Sequence, residues 1–113
     1  MKLKFENLNP TDGVIVTVDD ENLDAGNARE FKIQIQQQLD QHQLAILDMS
    51  TLNFVDSSGL GALLSCLRSM NNKQGQFKLI GLSRPVRALF ELVRMQRIFS
   101  IYNNREEALA SLL

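Results

Sequence analysis

Two adjacent serines, Ser57 and Ser58, follow Asp56 and precede Gly59, Leu60 and Gly61 in the stretch "FVDSSGLGALL", which begins at Phe54 and runs into a helical apolar pattern. Hydroxyls at such a junction invite four readings: a helix cap, a hydrolytic nucleophile, part of an anion cradle, or an acceptor for a phosphoryl group. The structural reading comes first. A serine just before an apolar helical run is a natural N-cap, its oxygen accepting a bond from an orphan backbone N–H, and glycine in a first turn lets helix and sheet backbones approach closely.

A nucleophilic serine needs a base within hydrogen-bond reach. The single histidine, His42, precedes the strand that delivers the serines to its far end, and a strand of about five residues spans roughly 17 Å. His-assisted hydrolysis is therefore disfavoured, and His42 reads as a solvated loop residue. A nucleotide-handling enzyme fares no better. The chain has no Gly-x-x-x-x-Gly-Lys run and no Gly-x-Gly-x-x-Gly triplet, and Asp56 with the acidic segment nearby repels a free nucleotide's phosphates unless a metal intervenes. The remaining use of the hydroxyl is to be phosphorylated by another protein's active site. A phosphate adds about −1.5 to −2 charges at neutral pH, which a helix N-terminus tolerates and neighbouring carboxylates oppose, so it disturbs docking more readily than folding.

These residues need a frame to hold them. "LKFEN" alternates as a half-buried strand, "NPTDG" from Asn9 has turn chemistry, and "VIVTV" from Val14 is β-branched, which together predict an N-terminal hairpin. From Asn27 the period becomes helical, with Ala28, Phe31, Ile35 and Leu39 inward and Asn27 and Glu30 at capping-box spacing. "LAILDM" from Leu44 is a continuous apolar run suited to the centre of a parallel sheet. A second helix follows the serines with Leu60, Leu63, Leu64, Leu67 and Met70 on one face, and Gly75 is its expected stop. "FKLIGL" from Phe77 predicts a strand, and "SRPVRALFELV" a helix capped at Ser83 with Val86, Leu89, Phe90 and Val93 inward. "IFSIY" from Ile98 predicts the last strand, and "NNREEALASLL" a closing helix capped by Asn103 or Asn104.

Strands alternating with helices imply an α/β fold: a small mixed, mainly parallel sheet of about five strands layered with about four helices. In such folds the loops leaving the carboxyl ends of the parallel strands gather at one edge, where sites form. Asp56, Ser57, Ser58 and Gly59 belong there, with Asp19, Asp20, Glu21 and Asp24 in one neighbouring loop and Ser83 and Arg84 in another.

Composition narrows the function classes. The 113 residues fit one domain over 1–113, and 44% apolar with 22% charged residues is ordinary globular composition. A net charge of −1 offers no general attraction for a nucleic-acid backbone, so no nucleic-acid partner is expected. No apolar run approaches the roughly 20 residues of a membrane span, and "MKLKFENLNP" lacks a signal-peptide core, so no membrane insertion and a cytoplasmic location are expected. Cys66, the one cysteine, has no partner for a disulfide and no neighbours at metal-ligand spacing; it reads as a buried hydrophobe, and no metal or cofactor is expected.

The quoted stretch, with "ENLDAGNAREF" before it and "SRPVRALFELV" after it, resembles the STAS domain of bacterial anti-sigma factor antagonists over almost the whole chain. The Asp-Ser-Ser-Gly element is the specific part. The resemblance implies that Ser57 is the phosphoacceptor and Ser58 its neighbour, and that Asp24 and Asp56 are contact residues on a partner-binding face that also includes Ser58, Gly59, Leu60 and Gly61. It implies a partner that is both anti-sigma factor and serine kinase with an ATP-binding fold, a metal-dependent serine phosphatase that reverses the modification, and no enzymatic activity in this chain. Two departures stand out: Asn27 where the family usually has Thr, and "VDDEN" where a Gly-Glu step is more common. The extra negative charge of that acidic loop fits either a basic face on a partner or a plain solvated turn. STAS folds also serve as adaptors whose output is not a sigma factor, and that reading is the alternative.

Overall fold

Alternation along the first strands decides which face is buried. The computed structural model describes residues 1–8 and 11–113; Asn9 and Pro10 of the expected turn lie outside the described residues. Strands β1 (Leu3–Leu8) and β2 (Gly13–Val18) pair antiparallel from Leu3 opposite Val18 to Leu8 opposite Gly13. Val14, Val16 and Val18 point to one face while Ile15 points to the other, and all four are buried.

Next in the chain come β3 (Asn22–Leu23), α1 (Ala28–Gln41), β4 (Leu44–Asp48), β5 (Phe54–Val55), α2 (Ser57–Asn72), β6 (Gln76–Ile80), α3 (Arg84–Leu92), β7 (Ser100–Tyr102) and α4 (Arg105–Ala110), with a 3₁₀ turn at Met95–Arg97. The main sheet has five strands in the order β1-β2-β4-β6-β7, parallel throughout except for the β1–β2 edge. This is the mixed, mainly parallel α/β architecture expected from the strand and helix pattern. β3 and β5 form a separate two-stranded parallel sheet that the sequence pattern does not show.

Burial on both faces follows from the layers. α1, α2 and α3 cover one face, where Phe31, Ile35, Leu63, Met70 and Phe90 pack on Val16, Leu47 and Leu79. α4 covers part of the other, placing Ala108 against Ile15, Ile46 and Ile80. On that second face Arg105 grips Glu6 through two hydrogen bonds of 3.1 and 3.2 Å, and the Lys78 ammonium lies 5.1 Å from the centre of the Tyr102 ring. Met70 and Cys66 are core residues, as expected, and burial pushes the Cys66 thiol up to about 12. Among the described residues no helix is long and apolar enough to cross a membrane.

Several boundaries differ from expectation for local reasons. α2 ends before Gly75, and the left-handed residue of its exit is Gln74, at φ 61°. Gly75 is still required, because a Cβ there would lie 2.9 Å from both the Gln43 carbonyl oxygen and the Met70 methyl. Val93 is 40% exposed rather than inward, since α3 stops at Leu92 and Arg94 turns the chain at φ 62° into the 3₁₀ turn. Ile98 and Phe99 accordingly precede β7 instead of belonging to it. Asn104 caps α4, accepting from the Glu107 N–H at 2.9 Å, and Asn103 supports it from outside through the Glu107 carboxylate.

Candidate functional site

The short β3–β5 sheet builds the site. Its register sets Asn22 beside Phe54 and Leu23 beside Val55, and the Asp56 N–H continues the ladder to the Leu23 carbonyl at 3.3 Å. The loop entering α1 and the start of α2 are thereby tied side by side. Ser83 adds a third anchor: its hydroxyl donates to the Leu52 carbonyl at 2.7 Å, joining the head of α3 to the segment before β5. Ser83 does not cap α3 with its side chain. Arg84 follows as the first, exposed residue of that helix.

Asp56, not Ser57, is the N-cap of α2. Its backbone is extended, at φ −99° and ψ −172°, and Oδ1 accepts from the Gly59 N–H at 2.9 Å while Oδ2 accepts from the Ala25 N–H at 3.0 Å. One carboxylate thus satisfies an orphan donor of the helix and staples the neighbouring loop to it. These bonds favour the charged form. The Gly59 N–H chiefly, then the Ala25 N–H, hold the Asp56 carboxyl below the usual aspartate value against a partial desolvation that works the other way.

The sign of the pH dependence follows. A lowered folded pKa makes the contribution of Asp56 to stability present above the unfolded aspartate value and lost as pH falls through the folded one. A ¹³C titration of the Asp56 carboxyl is expected to give a midpoint below the ordinary aspartate value, with the Ala25 and Gly59 amide shifts moving at the same midpoint. A midpoint at or above the ordinary value would contradict the double-acceptor geometry.

With capping assigned to Asp56, Ser57 becomes the first residue of α2, exposed, and Ser58 the second, also exposed. The cap reading of Ser57 is therefore replaced, because a carboxylate one residue earlier already takes the Gly59 N–H. Ser57→Ala is expected to change unfolding free energy by no more than about 0.5 kcal/mol, the range of exposed substitutions away from caps and cores. A urea titration showing a loss of 1 kcal/mol or more, the usual effect of removing a cap, would return the capping role to Ser57.

Gly59 is buried and faces the backbone of β3: a Cβ there would lie 2.1 Å from the Leu23 carbonyl oxygen. Gly61 meets nothing within 4 Å, so its Cβ would project into open space. Leu60 is half-buried and packs against the main core. Asp24 is half-buried; its Oδ1 accepts from the Gly26 N–H at 2.9 Å, and its carbonyl accepts from the Asn27 and Ala28 N–H groups at 3.1 and 2.8 Å.

The capping box expected at α1 does not form. Asn27 Oδ1 accepts from the Asp24 N–H at 2.9 Å and its amide donates to the Asn22 carbonyl at 2.8 Å, so the side chain is spent on rigidifying the loop. Glu30 turns instead to the chain's amino terminus at 2.8 Å and to Gln34 at 3.2 Å. The acidic loop is partly neutralised in the chain itself, since Asp19 lies 3.6 Å from the Lys2 ammonium and 3.7 Å from that of Lys4. Asp20 accepts from the Asn22 N–H at 3.4 Å. His42 sits at the C-terminal end of α1 with Nδ1 2.9 Å from the Gln38 carbonyl, half-buried rather than solvated, and precedes β4, at whose far end the serine loop begins.

The structure therefore brings Asp24, Asp56, Ser57 and Ser58 to one edge through the β3–β5 sheet. Two further features belong to this edge. Phe54 is 52% exposed immediately before the cap, because Val55 takes the inward position of the two-residue strand. Arg29 and Lys32 stand on α1 across an open cleft from Ser58.

Known proteins place this geometry in a family. The STAS domain model matches residues 6–108. The anti-sigma F factor antagonist of Paenibacillus polymyxa is 28% identical over 102 residues, covering 88% of this chain and 87% of that protein. The crystal structure of the Thermotoga maritima protein TM1081 superposes with a TM-score of 0.88 at 26% identity, over 96% of this chain and 92% of that one. SpoIIAA of Bacillus in its phosphorylated form has the same fold, with a TM-score of 0.70 at 20% identity over 99% of this chain and 100% of that one. By the extent of the match and by the Asp-Ser-Ser-Gly element at the start of α2, the chain belongs to the STAS domain family.

Proposed function

We propose that the chain is an anti-sigma factor antagonist working by partner switching, and that Ser57 is its phosphoacceptor. The observation that carries this reading is an exposed Ser57 hydroxyl released from capping by Asp56, in a STAS-family chain with a relative named as an anti-sigma F factor antagonist. With Ser57 unmodified, the edge formed by Asp24, Asp56, Ser58, Leu60 and Gly61, held against β3 by the buried Gly59, docks on an anti-sigma factor and withholds it from sigma. That partner is also a serine kinase with an ATP-binding fold, and it supplies ATP, metal and catalytic base. The chain supplies position and a hydroxyl, without enzymatic activity of its own. A metal-dependent serine phosphatase restores the binding form, and the cycle runs in the cytoplasm.

The test is a pull-down from the native host with wild type, Ser57→Ala and Ser57→Asp as baits. Capture of a protein with kinase-like ATP-binding sequence by the first two and not by the third is the expected result. Equal capture of the same partners by all three would replace the switch with a constitutive adaptor.

A further inference from the structure

The two serines of the pair face different surroundings. Ser58 lines an open cleft of about 460 Å³ between α1 and the head of α2, together with Ala28, Arg29, Lys32, Gly61 and Ala62; Ser57 is not among the lining residues. Small side chains leave the cleft empty, and its two charged residues are both cations. Arg29 and Lys32 lie three apart on one face of α1, and among the described residues neither forms a salt bridge. Lys32 lines the same cleft as Ser58, Gly61 and Ala62 of α2. Two cations and a serine lining one solvent-open cleft are complementary to an anion carried on that serine.

The geometry points to this cleft as a phosphate cradle for a phosphoryl group on Ser58, held in cis by Arg29 and Lys32. Phosphate reaches Ser58 when its Oγ attacks the γ-phosphorus of ATP on a protein kinase. The Oγ–P bond forms, the bond from phosphorus to the β,γ-bridging oxygen breaks, ADP leaves, and the hydroxyl proton passes to the kinase's base. A phosphate on Ser57, outside the cleft, lacks this compensation. The chain itself then distinguishes the two positions: at the same docking edge, charge on Ser57 stands uncompensated, and charge on Ser58 is offset by Arg29 and Lys32. This goes beyond the switch at Ser57 and does not depend on the partner's identity.

The test needs only the full chain, made with phosphoserine at position 57 or at position 58 and titrated by ³¹P NMR at low salt. The start of α2 favours charge at both positions and Asp24 and Asp56 oppose it at both, so removal of the two cations isolates the part that Arg29 and Lys32 supply. A second phosphate pKa ordinarily near 6 is expected to be at least about half a unit lower at Ser58 than at Ser57, roughly a threefold difference in the protonation equilibrium. The gap is expected to close in the R29Q/K32Q double variant, whose two substitutions are at exposed positions and leave the amide spectrum of the core unchanged. Equal pKa values at the two serines, or a gap that survives R29Q/K32Q, would overturn the cradle.

Discussion

Gly59→Ala is expected to destabilise the fold by about 3 kcal/mol or more, an overpacking penalty at the upper end of its usual range. The new Cβ would lie 2.1 Å from the Leu23 carbonyl oxygen and 2.8 Å from its carbonyl carbon, and backbone cannot rotate out of the way as a side chain can. Glycine-to-alanine substitution in a helix interior gains about 1 kcal/mol of helix propensity, too little to offset such a contact. Relief requires α2 to move away from β3, which breaks the β3–β5 pairing and carries Ala25 away from Asp56. The damage is thus to fold and site together.

Gly61→Ala is the matched control. It lies two residues later in the same helix, with nothing within 4 Å of the added methyl, so a gain of about 0.5–1 kcal/mol is expected from reduced unfolded-state freedom and helix propensity. Urea unfolding of the two variants with opposite signs would establish that close approach, not glycine content, governs this helix start. A Gly59→Ala protein as stable as wild type would mean that β3 is not pressed on α2.

The contrast also marks what the sequence makes legible. Period and run length identify the long elements, because Phe31, Ile35 and Leu39 on α1 and the apolar β4 each repeat their signal over several residues. β3 and β5 do not. Two residues cannot display a period, and Asn22–Leu23 and Phe54–Val55 become strands only by pairing with each other across the chain. The cap register is ambiguous in sequence for a related reason: Asp56, Ser57 and Ser58 are all competent N-caps. The choice falls on Asp56 because its second oxygen also reaches the Ala25 N–H, a contact 31 positions away that local pattern does not encode. Arg29 and Lys32 look like ordinary members of a solvated helix face until the α1–α2 packing puts an empty cleft beneath them.

Phosphorylation of Ser57 itself is expected to weaken the proposed anti-sigma factor complex by a hundredfold or more while shifting the thermal midpoint of the free protein by only a few degrees. The first expectation rests on charge placement. A phosphate brings about −1.5 to −2 charges to an edge where Asp56 is held ionised and Asp24 stands nearby, and a docking surface that accepts a neutral hydroxyl must then accommodate a desolvated dianion. A penalty of about 3 kcal/mol corresponds to that hundredfold change. The second rests on exposure: Ser57 takes no part in capping, and the favourable field at the start of α2, typically about 0.3–1 kcal/mol, works against repulsion from Asp56. Calorimetric binding and thermal melts on the same phosphorylated sample separate the two effects. A large binding loss with an unchanged melt places the switch at the docking edge, whereas a melt that falls as far as the affinity would place it in the fold and remove Ser57 as a surface signal.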